Sequence, residues 1–222
     1  MGAEEIFGTV VVVVRSDPPR QKTRSRVARS RSTTKQLILD ALVELLEDRP
    51  IREIGVEDVM ARTGLGRTAF YRYFPDLESV LLLHIERISG ELHAPSDRWL
   101  SSSDPNALVG DAALRMAQVY ADSGRLIRAF SHSAGGGEDV EAAWAAVIDS
   151  FVVPAAARVE LLIDAGLADV AHAAETVRAL VVLIDRYLTD TYGAARDTVQ
   201  VEVAAEVLES VWRRSLNLRS PD

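Results

Sequence analysis

From residue 32 onward, apolar side chains recur at intervals of three and four, which places them on one face of an α-helix. The first such stripe consists of Leu37, Ile38, Ala41, Leu42, Leu45 and Leu46. A strand-like pattern is confined to the short valine run of residues 10–14. The pattern therefore predicts an all-α fold, with helices at about 32–48, 56–62, 67–73, 77–92, 106–121, 125–131, 138–165, 172–192 and 198–217.

Prolines, glycines and small polar residues mark where these helices begin and end. Ser32 or Thr33 can cap the first helix, and Pro50 ends it because proline disfavours helical geometry at the residue before it. Gly64 can take the left-handed conformation that follows a helix. A loop rich in Ser, Pro and Asp is expected at 94–106. It separates a small helical head, 32–92, from a larger helical body, 93–222.

The charge is distributed unevenly along the chain. The net charge is −8, but residues 15–35 hold eight basic residues and one acidic residue, whereas residues 36–222 hold 17 basic and 30 acidic ones. Prolines break any helix at residues 18–19, and the basic side chains repel one another, so we expect residues 1–31 to form a flexible basic arm. Such an arm on an acidic body suggests a polyanionic partner. A solubilising tail is the alternative.

The composition excludes several function classes. The chain of 222 residues has no cysteine, which excludes disulfides, thiolate metal sites and cysteine nucleophiles. No apolar run approaches the roughly 18 residues of a membrane helix, and the chain opens with acidic rather than basic residues. We therefore expect a cytoplasmic protein that does not contact membranes. The four histidines lack the spacing of metal ligands, and we expect neither a metal nor a cofactor.

A helix, a glycine-containing turn and a second helix between Val56 and Tyr73 form a helix-turn-helix pattern. The second helix exposes four side chains that suit phosphates and base edges, Arg67, Thr68, Tyr71 and Arg72. Phe70 and Phe74 lie on its inner side, where we expect them to pack in the core of the head.

The segment from Ile54 to Leu81 resembles the DNA-binding domain of the tetracycline-repressor (TetR) family of bacterial transcriptional regulators. The string Phe70-Tyr-Arg-Tyr-Phe74, followed by a turn and Glu78, carries most of this likeness. The layout of the whole chain is similar to the ethionamide-resistance-repressor branch. The resemblance implies a repressor, not an enzyme, that binds a palindromic double-stranded DNA operator as a homodimer and is released by a small effector.

The resemblance also implies which residues touch DNA. In the motif these are Gly66, Arg67, Thr68, Tyr71, Arg72 and Tyr73. Gly55 and Gly66 stand where the family usually has hydroxyl caps, and Leu77 stands where it usually has a lysine. These changes remove phosphate donors and weaken the sequence-independent part of binding. We expect the arm to replace them by reaching into the minor groove with Arg24, Arg26, Arg29 and Arg31.

The last two predicted helices are too apolar for one buried face each. Residues 179–184 are apolar all round the helix. In the following helix Val199, Val203, Val207 and Val211 form one stripe, which Ala204, Leu208 and Trp212 broaden. One face packs on the body and the other meets a symmetry mate, so we expect a four-helix homodimer interface.

The resemblance further implies an effector pocket in the body. Six candidate lining residues are Met116, Tyr120, Phe130, Trp144, Phe151 and Tyr187, although each alone is more simply explained as core. Asp185 and Arg186 lie within an apolar stretch and could supply polarity, or they could point to solvent. We expect the effector to be small and apolar or aromatic.

Two other function classes stay open. Because three donors are missing, the chain could be a dimeric ligand-binding protein that has lost DNA binding. A hydrolase at residues 131–133 (Ser-His-Ser) is a weaker alternative, since the chain has no Gly-x-Ser-x-Gly elbow. The Gly-Leu-Gly-Arg-Thr-Ala string at 64–69 matches a loose dinucleotide fingerprint but follows a helix rather than the strand that phosphate binding requires.

Overall fold

The computed structural model describes residues 21–102, 104–130, 137–194 and 199–219, and side chains from residue 33 onward except that of Pro105. The chain divides into two compact units, residues 1–36 and 37–222. Within the described residues the backbone is helical with no strand, which confirms the all-α prediction. None of the helices in these segments is long and apolar enough to cross a membrane.

The helices are α1 (Gln21–Asp48), α2 (Val56–Thr63), α3 (Arg67–Tyr71), α4 (Leu77–Ser101), α5 (Pro105–Ala129), α6 (Glu138–Asp164), α7 (Ala173–Tyr192) and α8 (Val201–Ser215), with a short 3-10 helix at Ile51–Glu53. The last three lie within a few residues of the predicted ranges.

Helix α1 begins at Gln21, so the predicted start at Ser32 or Thr33 is wrong. Between Pro19 and Pro50 the sequence contains neither proline nor glycine, and its lysine, arginine and glutamine residues favour helix. Helical propensity therefore carries α1 past the predicted cap. Residues 1–20, the rest of the predicted arm, lie outside the described residues.

The core of the head is built from α1, α2, α3 and the first half of α4. Phe70 is fully buried and Phe74 nearly so, and their ring centroids lie 5.8 Å apart. Val59 of α2 and Val80 of α4 are also fully buried. The placement of both phenylalanines in the core agrees with the expectation from the sequence.

Helix α4 continues well beyond the predicted end at residue 92. Its inner stripe extends through Leu92, Pro95 and Trp99, all of which are buried. The Trp99 ring meets the Trp212 ring of α8 edge-on, with centroids 5.7 Å apart. This packing outweighs the cost of a proline inside a helix. The prediction of a loop over 94–106 is therefore wrong for residues 94–101, which belong to α4.

Helix α5 is one helix where the sequence suggests two, at 106–121 and 125–131. Gly124 lies at the predicted break and is buried against α7. A Cβ built on Gly124 would come within 2.6 Å of the backbone carbonyl of Tyr192. The glycine is therefore explained by the close approach of two helices and not by a helix end.

One apolar cluster runs from the head into the body. It contains buried residues of α1, α2, α3 and α4 together with residues of α5, α6, α7 and α8. A second cluster lies around Trp99, Val159 and Leu216. Because the first cluster is continuous, the head core and the body core of residues 37–219 share a hydrophobic interior.

A histidine lies in the interior of the head. His84 of α4 is 1% exposed, and the Nε2–H of its neutral ring donates to the backbone carbonyl of Leu39 over 3.3 Å. Burial, together with the nearby charge of Arg87, lowers the pKa of His84 from 6.5 to about 4. The neutral ring is thus the form that the folded head accommodates.

We expect His84 to weaken folding as the pH falls from about 6.5 to about 4. The unfolded chain binds a proton at His84 in this range and the folded chain does not, so the free energy of unfolding drops with decreasing pH. The contribution at pH 4.5 is about 2 to 3 kcal/mol. Denaturant unfolding of the wild type and of His84→Gln, between pH 7 and 4.5, measures it as a difference between the two proteins. Parallel pH profiles for the two proteins would contradict this assignment.

Candidate functional site

Helices α2 and α3 form the helix-turn-helix, with Gly64 at the turn. Gly64 has a φ of 69°, the left-handed conformation that a glycine adopts without strain. At the start of α2 the backbone N–H of Gly55 donates to the carboxylate of Asp58 over 2.8 Å, and Asp58 pairs with Arg49 at 2.8 Å. These two interactions hold the pKa of Asp58 below its usual value. Asp58 thus makes one of the two reciprocal bonds of a capping box, and Gly55 has no side chain to make the other.

One face of α3 is fixed in the head and the opposite face is open. Phe70 is fully buried, and the ring of Tyr71 meets it edge-on with centroids 5.4 Å apart. Tyr71 itself is 48% exposed. The Nη2 of Arg67 donates to the hydroxyl of Tyr71 over 3.0 Å, and Arg67 also forms an ion pair with Glu57 of α2. The two side chains are held next to each other on the open face.

The structure places most of the predicted DNA-contact residues on this open face. The exposed ones are Gly66, Arg67, Thr68, Tyr71 and Arg72. Tyr73 is half-buried and packs against the apolar cluster of the head. The backbone of Arg24, Arg26, Arg29 and Arg31 belongs to α1, but their side chains lie outside the described part of the chain.

The body contains a partly open cavity of about 100 Å³. Its walls come from α4, α5, α6, α7 and α8: Leu92, Ser96, Trp99, Val109, Ala112, Ala113, Met116, Tyr120, Ile148, Phe151, Ala155, Val181, Ile184, Asp185, Leu208 and Trp212. Nearly all of these side chains are apolar or aromatic, which is typical of a site for an apolar small molecule.

Three of the six residues proposed from the sequence line this cavity, namely Met116, Tyr120 and Phe151. The other three are not among the lining residues. Phe130 and Trp144 pack against each other in the core with centroids 5.2 Å apart, and Tyr187 is half-buried against the same apolar cluster. Sequence reasoning missed Trp99 because that residue falls in the loop predicted at 94–106.

Asp185 is the one charged side chain among the lining residues. Its Oδ1 accepts a hydrogen bond from the hydroxyl of Tyr120 over 2.8 Å. Burial raises the pKa of Asp185, and hydrogen bonds from Tyr120 and Trp144 oppose that rise. The neighbouring Arg186 points elsewhere, since it is exposed and pairs with Asp190 at 2.8 Å. Of the two polar residues singled out in this stretch, only Asp185 reaches the cavity.

Helices α7 and α8 each bury one apolar face and leave another open. On α8, Ala204 and Leu208 are buried while Val203 and Val207 are each 45% exposed. On α7, Val182 and Leu183 are about half-exposed. We call these four residues the α7–α8 apolar face. A group of large apolar side chains in contact with water is typical of a protein interface.

The sequence of the head matches a known family of bacterial regulators. The model for bacterial regulatory proteins of the tetR family matches residues 38–82. The chain is 25% identical to the HTH-type transcriptional regulator EthR of Mycobacterium tuberculosis over 200 residues. This alignment covers 86% of this chain and 91% of EthR. The head of this chain thus matches the tetR family of bacterial regulatory proteins, which supports a DNA-binding transcriptional regulator.

Solved structures of other bacterial regulators share the fold. The MbdR regulator of Azoarcus sp. CIB aligns with a TM-score of 0.68 at 17% identity, covering 85% of this chain and all of that one. The FadR regulator of Bacillus subtilis, solved with stearoyl-CoA, aligns with a TM-score of 0.66 at 11% identity, over 81% of this chain and 98% of that one. At such identities the likeness concerns the fold alone.

This TetR-family head departs from the usual pattern at two further positions. Gly66 precedes α3 in an extended conformation and offers no side chain as a cap. Leu77, where the family usually has a lysine, is half-buried and packs against the head core. The N-terminus of helix α4 is capped by Asp76, whose carboxylate accepts from the backbone N–H of Ser79 over 2.8 Å. Neither Gly66 nor Leu77 has a side chain that can donate to a phosphate.

Proposed function

We propose that this protein is a cytoplasmic repressor that binds a palindromic operator as a homodimer and leaves it when a small apolar molecule enters the body. The observation that carries the proposal is the course of helix α4. Its first half supplies Val80 and Leu81 to the head core, and its second half supplies Leu92, Ser96 and Trp99 to the cavity wall. One rigid element therefore contacts both the DNA-reading head and the ligand cavity.

The DNA-reading surface in this proposal is the open face of α3. Thr68 and Tyr71 offer hydroxyls for base edges or phosphates, while Arg67 and Arg72 offer charge-assisted donors. In the free protein the guanidinium of Arg67 is paired with Glu57. On binding, Arg67 exchanges this exposed ion pair, which contributes little to stability, for a phosphate.

We assign further phosphate contacts to the basic residues in the first part of α1. Arg24, Arg26, Arg29 and Arg31 replace the phosphate donors that Gly66 and Leu77 lack. A helical backbone from Gln21 favours contacts with phosphates along one side of the helix over threading of an extended arm through the minor groove.

The dimer in this proposal forms through the α7–α8 apolar face. Two copies related by a two-fold axis would bring these surfaces together as a four-helix arrangement. The two α3 helices would then read half-sites about 34–36 Å apart or a multiple of that distance.

Release of DNA in this proposal follows from the contacts between body and head. Besides the shared helix α4, the guanidinium of Arg125 on α5 donates to the backbone carbonyl of Glu47 near the end of α1. A ligand that moves α4 or α5 would shift the head of each protomer and change the spacing of the two α3 helices.

A second candidate is a dimeric ligand-binding protein of the same fold that no longer binds DNA. The residues Gly66 and Leu77 favour it, because neither supplies the phosphate donor that the family pattern has at its position. The absence or presence of DNA binding by the full-length protein decides between the two.

We expect Arg67→Ala to weaken binding to DNA that flanks the protein's own gene. It should reduce the slope of log affinity against log salt by about 0.9, because one phosphate contact is lost. The matched control is Arg87→Ala, which removes an exposed arginine from α4 where it pairs with Glu91. Fluorescence anisotropy at several salt concentrations measures both slopes. Equal slopes for the two variants would contradict the assignment of α3, and no binding by the wild type would favour the second candidate.

We also expect Tyr71→Phe to weaken operator binding about tenfold, because it removes one hydroxyl contact to a base edge or phosphate. The ring and its edge contact with Phe70 remain, so the melting temperature should not change. If Tyr71→Phe binds the operator like the wild type, the hydroxyl makes no contact with DNA.

We expect Val203→Asp and Val182→Asp to convert the dimer into a folded monomer. Each places a carboxylate in the proposed interface, where an unpaired charge costs several kcal/mol, yet each position is exposed within a single chain. The control Leu114→Asp changes another exposed apolar residue, on α5, and should leave the dimer intact. Sedimentation at micromolar concentration separates these outcomes. A dimer that survives both valine substitutions would place the interface elsewhere.

A further inference from the structure

The cavity combines an apolar wall with one acidic side chain. Asp185 lies on α7 and reaches the same space as Met116, Phe151 and Trp212. No other lining residue carries a charge. A carboxylate in such surroundings is destabilised unless a positive charge or several hydrogen bonds compensate it.

The hydrogen bonds around Asp185 compensate it only in part. The hydroxyl of Tyr120 donates to Oδ1 over 2.8 Å, and the indole of Trp144 contributes a second bond. An ionised carboxylate has about four acceptor sites, so acceptor capacity is left over. Burial still raises the pKa of Asp185 in spite of these bonds, which indicates that the charge is not fully compensated within the protein.

No cation among the described lining residues neutralises Asp185. The nearest one in sequence, Arg186, is directed to Asp190 on the protein surface, and its charge offsets only part of the rise in the pKa of Asp185. The aromatic rings that line the cavity, including Trp99 and Trp212, can attract a cation through their faces. The site is therefore complementary to a molecule that is apolar over most of its surface and positively charged at one end.

We propose that the effector of this regulator is a hydrophobic amine whose ammonium group pairs with Asp185 and whose apolar part fills the cavity. This inference rests on the proposed function, because it takes the cavity to be the effector site. It narrows the effector from any apolar or aromatic molecule to one with a cationic head group.

Three probes of equal chain length test this inference: decylamine, decan-1-ol and decanoate, each below its micellar concentration. Isothermal titration of the full-length protein measures their affinities, and the fluorescence of the tryptophans at the cavity reports occupancy. We expect decylamine to bind at least about tenfold more tightly than either other probe. The preference should weaken as the pH falls through the raised pKa of Asp185, because a protonated carboxyl group no longer pairs with the ammonium group.

A matched pair of variants separates pairing with Asp185 from general attraction of cations to an acidic protein. Asp185→Asn and Asp190→Asn each remove one negative charge from α7, but only the first changes the cavity. Loss of the amine preference in Asp185→Asn and its retention in Asp190→Asn supports the inference. The pH dependence of the wild type provides the same test if Asp185→Asn does not fold.

The remaining outcomes overturn different claims. If decan-1-ol or decanoate binds as tightly as decylamine, the cavity is a ligand site but its cationic specificity is refuted. If both variants keep the amine preference, the amine binds away from Asp185. If none of the three probes binds, both the inference and the proposed effector site fail, whereas the DNA-binding assignment of α3 is unaffected.

Discussion

The continuity of helix α4 is the constraint on which the rest of the structure depends. The helix runs from Leu77 to Ser101 through Pro95 and is buried at intervals along its whole length. At one end it forms the platform on which Phe70 fixes α3, and at the other Trp99 packs against Trp212. If α4 ended at residue 92, the cavity would lose Ser96 and Trp99, and the direct connection between cavity and head would be lost with them.

Two titratable side chains, the buried His84 and the half-buried Asp185, differ in their surroundings. His84 makes a single hydrogen bond to a backbone carbonyl and lies in the tightly packed head, so the structure favours its neutral form. Asp185 borders a cavity and is held by side-chain hydrogen bonds that orient its carboxylate. The first arrangement fits a structural role in which charge is excluded. The second arrangement places a carboxyl group where a ligand can reach it, which is why we assign it to recognition.

The sequence predicts local features well where the residue type alone decides them. Gly64 takes the left-handed turn, Phe70 and Phe74 enter the core, and Val203 and Val207 separate from Ala204 and Leu208 as two faces of one helix. Periodicity and backbone preference suffice for these because each depends on neighbours in the sequence.

The sequence predicts poorly what depends on distant partners. By their local chemistry, Pro95 and Gly124 both predict the end of a helix. Helix α4 nevertheless continues beyond Pro95, because Trp99 packs against α8. Helix α5 contains Gly124 because α7 approaches it closely there. The cavity shows the same limit: Phe130 and Trp144 are as aromatic as Phe151, but only the three-dimensional packing decides which of them borders it. The sequence shows Asp185 as an acidic residue within an apolar segment, but it does not show whether the side chain points into the cavity or to solvent.

The most direct test of the account is whether filling the cavity alone weakens DNA binding. Ala155 lines the cavity, whereas Ala157 on the same helix is exposed, so Ala155→Phe and Ala157→Phe form a matched pair that leaves α3 untouched. Operator affinity is measured by fluorescence anisotropy for variants that remain folded dimers. The account predicts that Ala155→Phe mimics the effector and weakens binding at least about fivefold, while Ala157→Phe binds like the wild type. Equal, undiminished affinity of the two variants would contradict the coupling of the cavity to the DNA-reading head.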